Sequence, residues 1–156
     1  MLRHKKKVRK MIKIEDIEKI LPITQAILGL LDWKITPTIA TQTQLRELLK
    51  DTLNDDDTEE IFGGIISHDE FRTVELYIWD NLDTNKYHQT LEHTIFHELI
   101  HIILQPYDKL FKYILEDESP VVSKYLHWGF SVAEERMVNQ LADGYINALA
   151  VNQPSK

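Results

Sequence analysis

Apolar residues at Ile14, Ile17, Ile20, Leu21, Ile27, Leu28, Leu30 and Leu31 recur at helical spacing. Pro22 is expected to split this run into a first turn or two and a second helix N-capped by Thr24. Gly29 weakens that second helix without forbidding it. At residues 33–40 the period changes to two. Trp33, Ile35, Pro37 and Ile39 alternate with Lys34, Thr36 and Thr38, which predicts a strand, edge or irregular because of Pro37. Thr41 or Thr43 then caps a helix running to Leu53, with Leu45, Leu48, Leu49 and Leu53 on one face. Residues 61–67 and 73–79 are short β-rich runs, and the five residues between them suit a hairpin connection.

After a polar loop at 80–86, a helix is expected from about His88 to Leu104, ended by Pro106. Residues 107–128 read as helical in part, around Leu110, Phe111, Tyr113 and Ile114, then irregular about Pro120. A strong last helix covers 131–150, with Val132, Val138, Leu141, Tyr145 and Leu149 as its buried stripe. Helix, strand, helix, hairpin and two helices make an α+β order.

Composition narrows the chemistry. The 156 residues suit one domain, expected over 14–156, and carry no cysteine, which excludes disulfides and thiolate metal ligands. The absence of cysteine fits a reducing, cytoplasmic setting. A net charge of −7 argues against general nucleic-acid binding, and no apolar run reaches the length of a membrane span. Residues 1–13 differ: Arg3, Lys5, Lys6, Lys7, Arg9, Lys10 and Lys13 read as a solvated, flexible basic segment. Glu15, Asp16 and Glu18 follow too soon for a signal peptide. The acidic stretch 54–60 lacks the spacing of an EF-hand and reads as a solvated loop.

The informative chemistry lies in Thr94-Ile-Phe-His-Glu-Leu-Ile-His-Ile-Ile103. It contains H-E-x-x-H as His97, Glu98 and His101. Residues four apart share a helix face about 6 Å apart along the axis, so both imidazoles can reach one tetrahedral Zn²⁺. Glu98 points about 100° away, where its carboxylate can act as general base on a metal-activated water without itself being a ligand. It is the only charged residue between Thr94 and Leu104, on a helix that should be buried. A buried charge needs a partner or a metal.

A catalytic zinc site needs a third protein ligand. The extended H-E-x-x-H-x-x-G-x-x-H form is absent, because Leu104 and Tyr107 hold its later positions. A glutamate on the last helix can serve. Glu135 aligns with Val138, Asn139 and Ala142, Glu134 with Val138, Leu141 and Tyr145, and helical geometry alone does not separate the two. The run Glu116-Asp117-Glu118 and His127 are the fallbacks. Asn139 or Asp143 can orient a ligand histidine, and His93 either lines the cleft mouth or sits on the surface. Tyr107, Tyr113, Tyr125 and His127 are unranked donors for an oxyanion. The strand at 73–79 offers an edge for an extended peptide.

H-E-L-I-H followed some thirty residues later by E-x-x-V-N-x-L-A resembles small gluzincin-type metallopeptidases, including the ImmA/IrrE-like proteins of phages and mobile elements. That group pairs the metal helix with a helix bearing E-x-x-A-N-x-x-A. The resemblance spans roughly residues 33–149, with Val138 in place of the usual small residue. It implies a small zincin-like domain, with a short antiparallel sheet packed on the metal helix and a second, ligand-bearing C-terminal helix. It places the third ligand at Glu135. The expected function is zinc-dependent hydrolysis of a protein or peptide substrate, with Zn²⁺ on His97, His101 and Glu135 and Glu98 as base. The alternatives are a catalytically silent metal-binding protein that contacts a regulatory partner, and a zinc hydrolase acting on other bonds.

Overall fold

The computed structural model describes residues 11–50, 60–82 and 90–151. The basic run up to residue 10, residues 51–59, the loop at 83–86 and the expected helix start at 88–89 lie outside them, and the helix expected to reach Leu53 instead ends at Leu48 with Leu49 as its C-cap. The elements are α1 (Ile14–Leu28), β1 (Lys34–Ala40), α2 (Gln42–Leu48), β2 (Gly63–His68), β3 (Thr73–Trp79), α3 (Leu91–Leu115) and α4 (Pro120–Val151). A 3₁₀ turn, Asp69–Phe71, joins β2 to β3. This is an α+β arrangement.

The three strands lie in the order β1-β3-β2. β2 pairs antiparallel with β3 as the expected hairpin, but β1 runs parallel to β3, with Lys34 opposite Thr73 and Ala40 opposite Trp79. The sheet is therefore mixed, not antiparallel. β1 is an edge strand, as Pro37 requires. β3 is central and bonded on both sides, which removes residues 73–79 as an open edge. Among the described residues the open edges are the outer sides of β1 and β2. On β3 the alternation sends Val74, Leu76 and Ile78 into a core shared with Ile17 and Leu21 of α1 and Ile95, Leu99 and Ile102 of α3. A second cluster of Ala40, Leu45, Trp79 and Leu82 anchors α2. Thr41 caps that helix through a reciprocal capping box with Gln44.

Neither internal proline ends its helix. Pro22 sits inside α1 and Pro106 inside α3. Both rings are exposed, and packing on each side of them outweighs the lost hydrogen bond, which costs about 3 kcal/mol. Around Pro22 the anchors are Leu21 and Thr24. Thr24 is a buried mid-helix residue whose hydroxyl donates to the Ile20 carbonyl, not an N-cap. Beyond Pro106 the helix is held by the stacking of Phe111 on Phe130 of α4, with centroids 4.3 Å apart. Gly29 ends α1 in the left-handed region at φ 70°, where a β-carbon would be strained.

α4 starts eleven residues before the expected helix. Ser119 accepts a hydrogen bond at Oγ from the Val122 N–H, and Pro120 takes the first helical position, a favoured helix start. Its buried stripe also differs from expectation. Val138 and Ala142 are fully buried against Phe96 and Ile100, with Tyr145 stacked on Phe96, whereas Val132, Leu141 and Leu149 are exposed. No helix among the described residues is long and apolar enough to cross a membrane.

Candidate metal centre

The centre forms where α4 lies along α3. Thr90 caps α3 by accepting the His93 N–H, and the apolar face of Ile95, Leu99 and Ile102 locks the helix onto the sheet. That rotation turns His97 and His101 toward α4. There Val138 and Ala142 face α3, and residues 134 and 135, about 100° apart on the helix, fall on either side of that line. Both acids therefore reach the histidines, by different nitrogens.

Nε2 of His97 and Nε2 of His101 stand 3.4 Å apart. The Glu135 carboxylate is 3.5 Å from the first and 3.2 Å from the second. Atoms held about 2.0–2.1 Å from one tetrahedral ion are separated by about 3.3 Å. Three nitrogen and oxygen donors at those spacings make His97, His101 and Glu135 a group able to hold a metal ion. The donors on the far side of each ring complete the picture. His97 Nδ1 lies 3.2 Å from Asn139 Oδ1, and Asn139 Nδ2 donates to the Glu135 carbonyl, which fixes the amide with its oxygen toward the ring. His101 Nδ1 lies 3.1 Å from Glu134. Both partners can accept a proton carried on Nδ1, the tautomer in which each Nε2 would offer its lone pair to a bound metal ion.

The electrostatics follow from burial and these partners. Burial drives His97 down to about 4, against the pull of the Glu135 charge and with the repulsion of His101 and His93. Burial also opposes charge on His101, but hydrogen bonds to Glu134 and Glu135 outweigh it and push the imidazole up to about 10. Burial raises Glu135 as well, and its contacts with His101 and His97 bring it below the usual carboxylate range. Glu98 is buried, and desolvation lifts it to about 7, tempered by His101 and reinforced by Glu135. Its carboxyl packs against β2. A Cβ on Gly63 would stand 3.0 Å from Oε1. Gln42 fixes that approach by accepting the Ile61 N–H and donating to the Ile61 carbonyl.

The other expected residues fall differently. His93 is neither at a cleft mouth nor on the surface. It is buried, with Nε2 3.2 Å from Asp143 and Nδ1 without a partner among the described residues. Tyr107, Tyr113 and Tyr125 are exposed, and the structure brings none of them, nor His127, nor Glu116, Asp117 or Glu118, into the metal-binding group. Gly63, against Glu98, is a residue that no pattern in the sequence singles out. Comparison with known proteins adds no relative: no protein family, no curated protein and no solved structure matches the chain.

Proposed function

We propose that this chain is a zinc metallopeptidase of the small gluzincin type. The observation that carries the reading is the convergence of His97 Nε2, His101 Nε2 and Glu135 beside one buried acid, Glu98, that is not among them. Three nitrogen and oxygen donors without thiolate suit a catalytic zinc site, which keeps a position for water or substrate. Zinc bound there would supply Lewis acidity, bringing the pKa of a coordinated water toward neutrality.

The chain's own residues perform the remaining tasks. Glu98, raised to about 7, is matched to take a proton from the attacking water near neutral pH and return it to the leaving amine. It lies within electrostatic reach of His101 and Glu135. Asn139 and Glu134 hold the two rings in the tautomer that ligates. Among the described residues the outer edge of β2 is unpaired, and it begins at Gly63, against Glu98, so an extended peptide added there would pass the site.

The test is metal analysis of purified protein together with a peptide-library digest, on wild type and Glu98→Gln. The reading expects zinc in both and cleavage only by wild type. Zinc in both with every peptide intact would instead identify a metal-holding protein without turnover.

A further inference from the structure

We propose that the chain forms a two-fold dimer through the outer halves of α3 and α4, which pack against the same hairpin of a second copy. This is independent of the hydrolytic reading.

On α3 the residues Phe96, Ile100, Ile103, Tyr107, Leu110 and Ile114 follow alternating steps of four and three, the spacing of a coiled-coil seam. Within the chain α4 covers only the beginning of this seam, where Val138 and Ala142 bury Phe96 and Ile100. From Ile103 onward its side chains are 39% to 63% exposed. The adjoining face of α4 presents Leu126, Phe130, Ala133 and Met137 at helical spacing. Between the helices runs a groove of about 480 Å³ lined by Leu104, Tyr107, Phe130, Ala133, Glu134 and Met137. Ile103, Tyr107, Leu110, Ile114, Leu126 and Met137 are 39% to 63% exposed.

Six large apolar side chains about half exposed amount to roughly 600 Å² of apolar surface, the upper end of what monomers tolerate in one patch. It is somewhat more than the roughly 450–520 Å² apolar share of the ~800 Å² that each partner buries in a stable interface, so it is large enough for one. A seam of alternating four- and three-residue steps is self-complementary, so a second copy supplies the missing knobs and the two hairpins close into a four-helix bundle. The opposite stripe of α4, which includes Val121, Tyr125 and Trp128, faces the side where α3 carries Asp108 and Lys112, an ion pair, and has no matching ridge. By helical position, Ala133 and Met137 point away from the side of α4 that carries Glu135 and Asn139, so pairing leaves the metal-binding group open.

Sedimentation equilibrium of the full chain at micromolar concentration tests this. Wild type should run at twice the 18.4 kDa of one chain. Leu110→Glu and Ile114→Glu, both at exposed positions and each to be checked for an unchanged circular-dichroism spectrum, should raise the dimer dissociation constant at least about tenfold. Tyr125→Glu, on the opposite stripe, should stay dimeric, and all three variants should keep wild-type zinc content. A wild-type chain that remains at 18.4 kDa, free or recovered on phosphatidylcholine vesicles, overturns the proposal. So does a dimer that survives both seam substitutions, or one that Tyr125→Glu alone dissociates.

Discussion

Gly63 lies against Glu98 so closely that a Cβ at Gly63 would stand 3.0 Å from Glu98 Oε1 and 3.1 Å from its Cγ. Thr94 Cγ2 would be a further neighbour at 3.1 Å. Close approach, not backbone conformation, favours glycine here, since its φ is not in the left-handed region. Gly63→Ala should cost about 1–2 kcal/mol, the usual scale of overpacking. Zinc content should not change, because Gly63 touches none of the three ligands. Urea unfolding of the variant beside wild type measures the first, and metal analysis the second. An unchanged midpoint would mean that β2 or Glu98 has room to give way.

Glu98 also sets a pH dependence. Its carboxyl is raised by burial to about 7 in the folded chain, above the ordinary value of 4.5. The stability it contributes is therefore complete below about pH 4.5 and is lost as pH rises through about 7. Glu98→Gln removes this titration while keeping shape. Metal-free Glu98→Gln should be more stable than metal-free wild type above neutral pH, by up to about 3 kcal/mol. The two should converge near pH 4. Unfolding curves across that range decide the matter, and parallel pH profiles would show that Glu98 is solvated.

Much of this arrangement was legible in the sequence because local rules and tertiary demand agree. The apolar frame around His97 and His101 makes α3 a buried helix, and residues four apart must share a face. Pro37 marks an edge strand, and Thr41, one of the two expected caps, starts α2, where Gln44 completes a capping box that was not expected. The failures share another cause. Pro22 and Pro106 break local rules but sit in helices whose flanks are held by packing that sequence periodicity does not reveal. On α4, Val132, Leu141 and Leu149 compete as a stripe with Val138 and Ala142, and only the position of α3 selects between them. The parallel pairing of β1 with β3 carries no signal in either strand. Glu134 and Glu135 stayed inseparable for a good physical reason: both contact His101, one at each ring nitrogen.

Metal uptake should release protons. In the metal-free chain His101 is held protonated up to about 10, chiefly by hydrogen bonds to Glu134 and Glu135 that overcome burial. His97, down at about 4, is already neutral at physiological pH. Ligation requires a free lone pair on each Nε2, so zinc must displace the His101 proton. Calorimetric titration at about pH 8 in buffers of different ionisation enthalpy should report about one proton released per zinc bound. For the metal-free fold the sign is opposite to the Glu98→Gln gain: the His101 contribution is full below its ordinary 6.5 and fades as pH rises through about 10. Zinc binding without proton release would mean that His101 is neutral before the metal arrives.

The four groups on α4 that surround the histidines should rank by what each one touches. Glu135 would supply the third bond to a metal held at the proposed site, with oxygens 3.2 Å and 3.5 Å from the two Nε2 atoms, and Glu135→Ala would leave two nitrogens only. Its zinc affinity should fall the furthest. Glu134 and Asn139 touch no ligand atom but fix the rings through Nδ1, at 3.1 Å and 3.2 Å. Loss of such a partner typically costs 10–100-fold in metal affinity, so Glu134→Ala and Asn139→Ala should both fall in that range. Glu134→Gln should recover part of the loss, because its amide oxygen still accepts the Nδ1 proton without the carboxylate charge. Asp143 contacts His93, one turn removed from the ligands, and Asp143→Ala should leave affinity close to wild type. Competition against a chelator of known affinity orders all five variants in one experiment. If Glu134→Ala bound zinc more weakly than Glu135→Ala, the ligand would be Glu134, and α4 would have to turn toward its Leu141 side by about 100°.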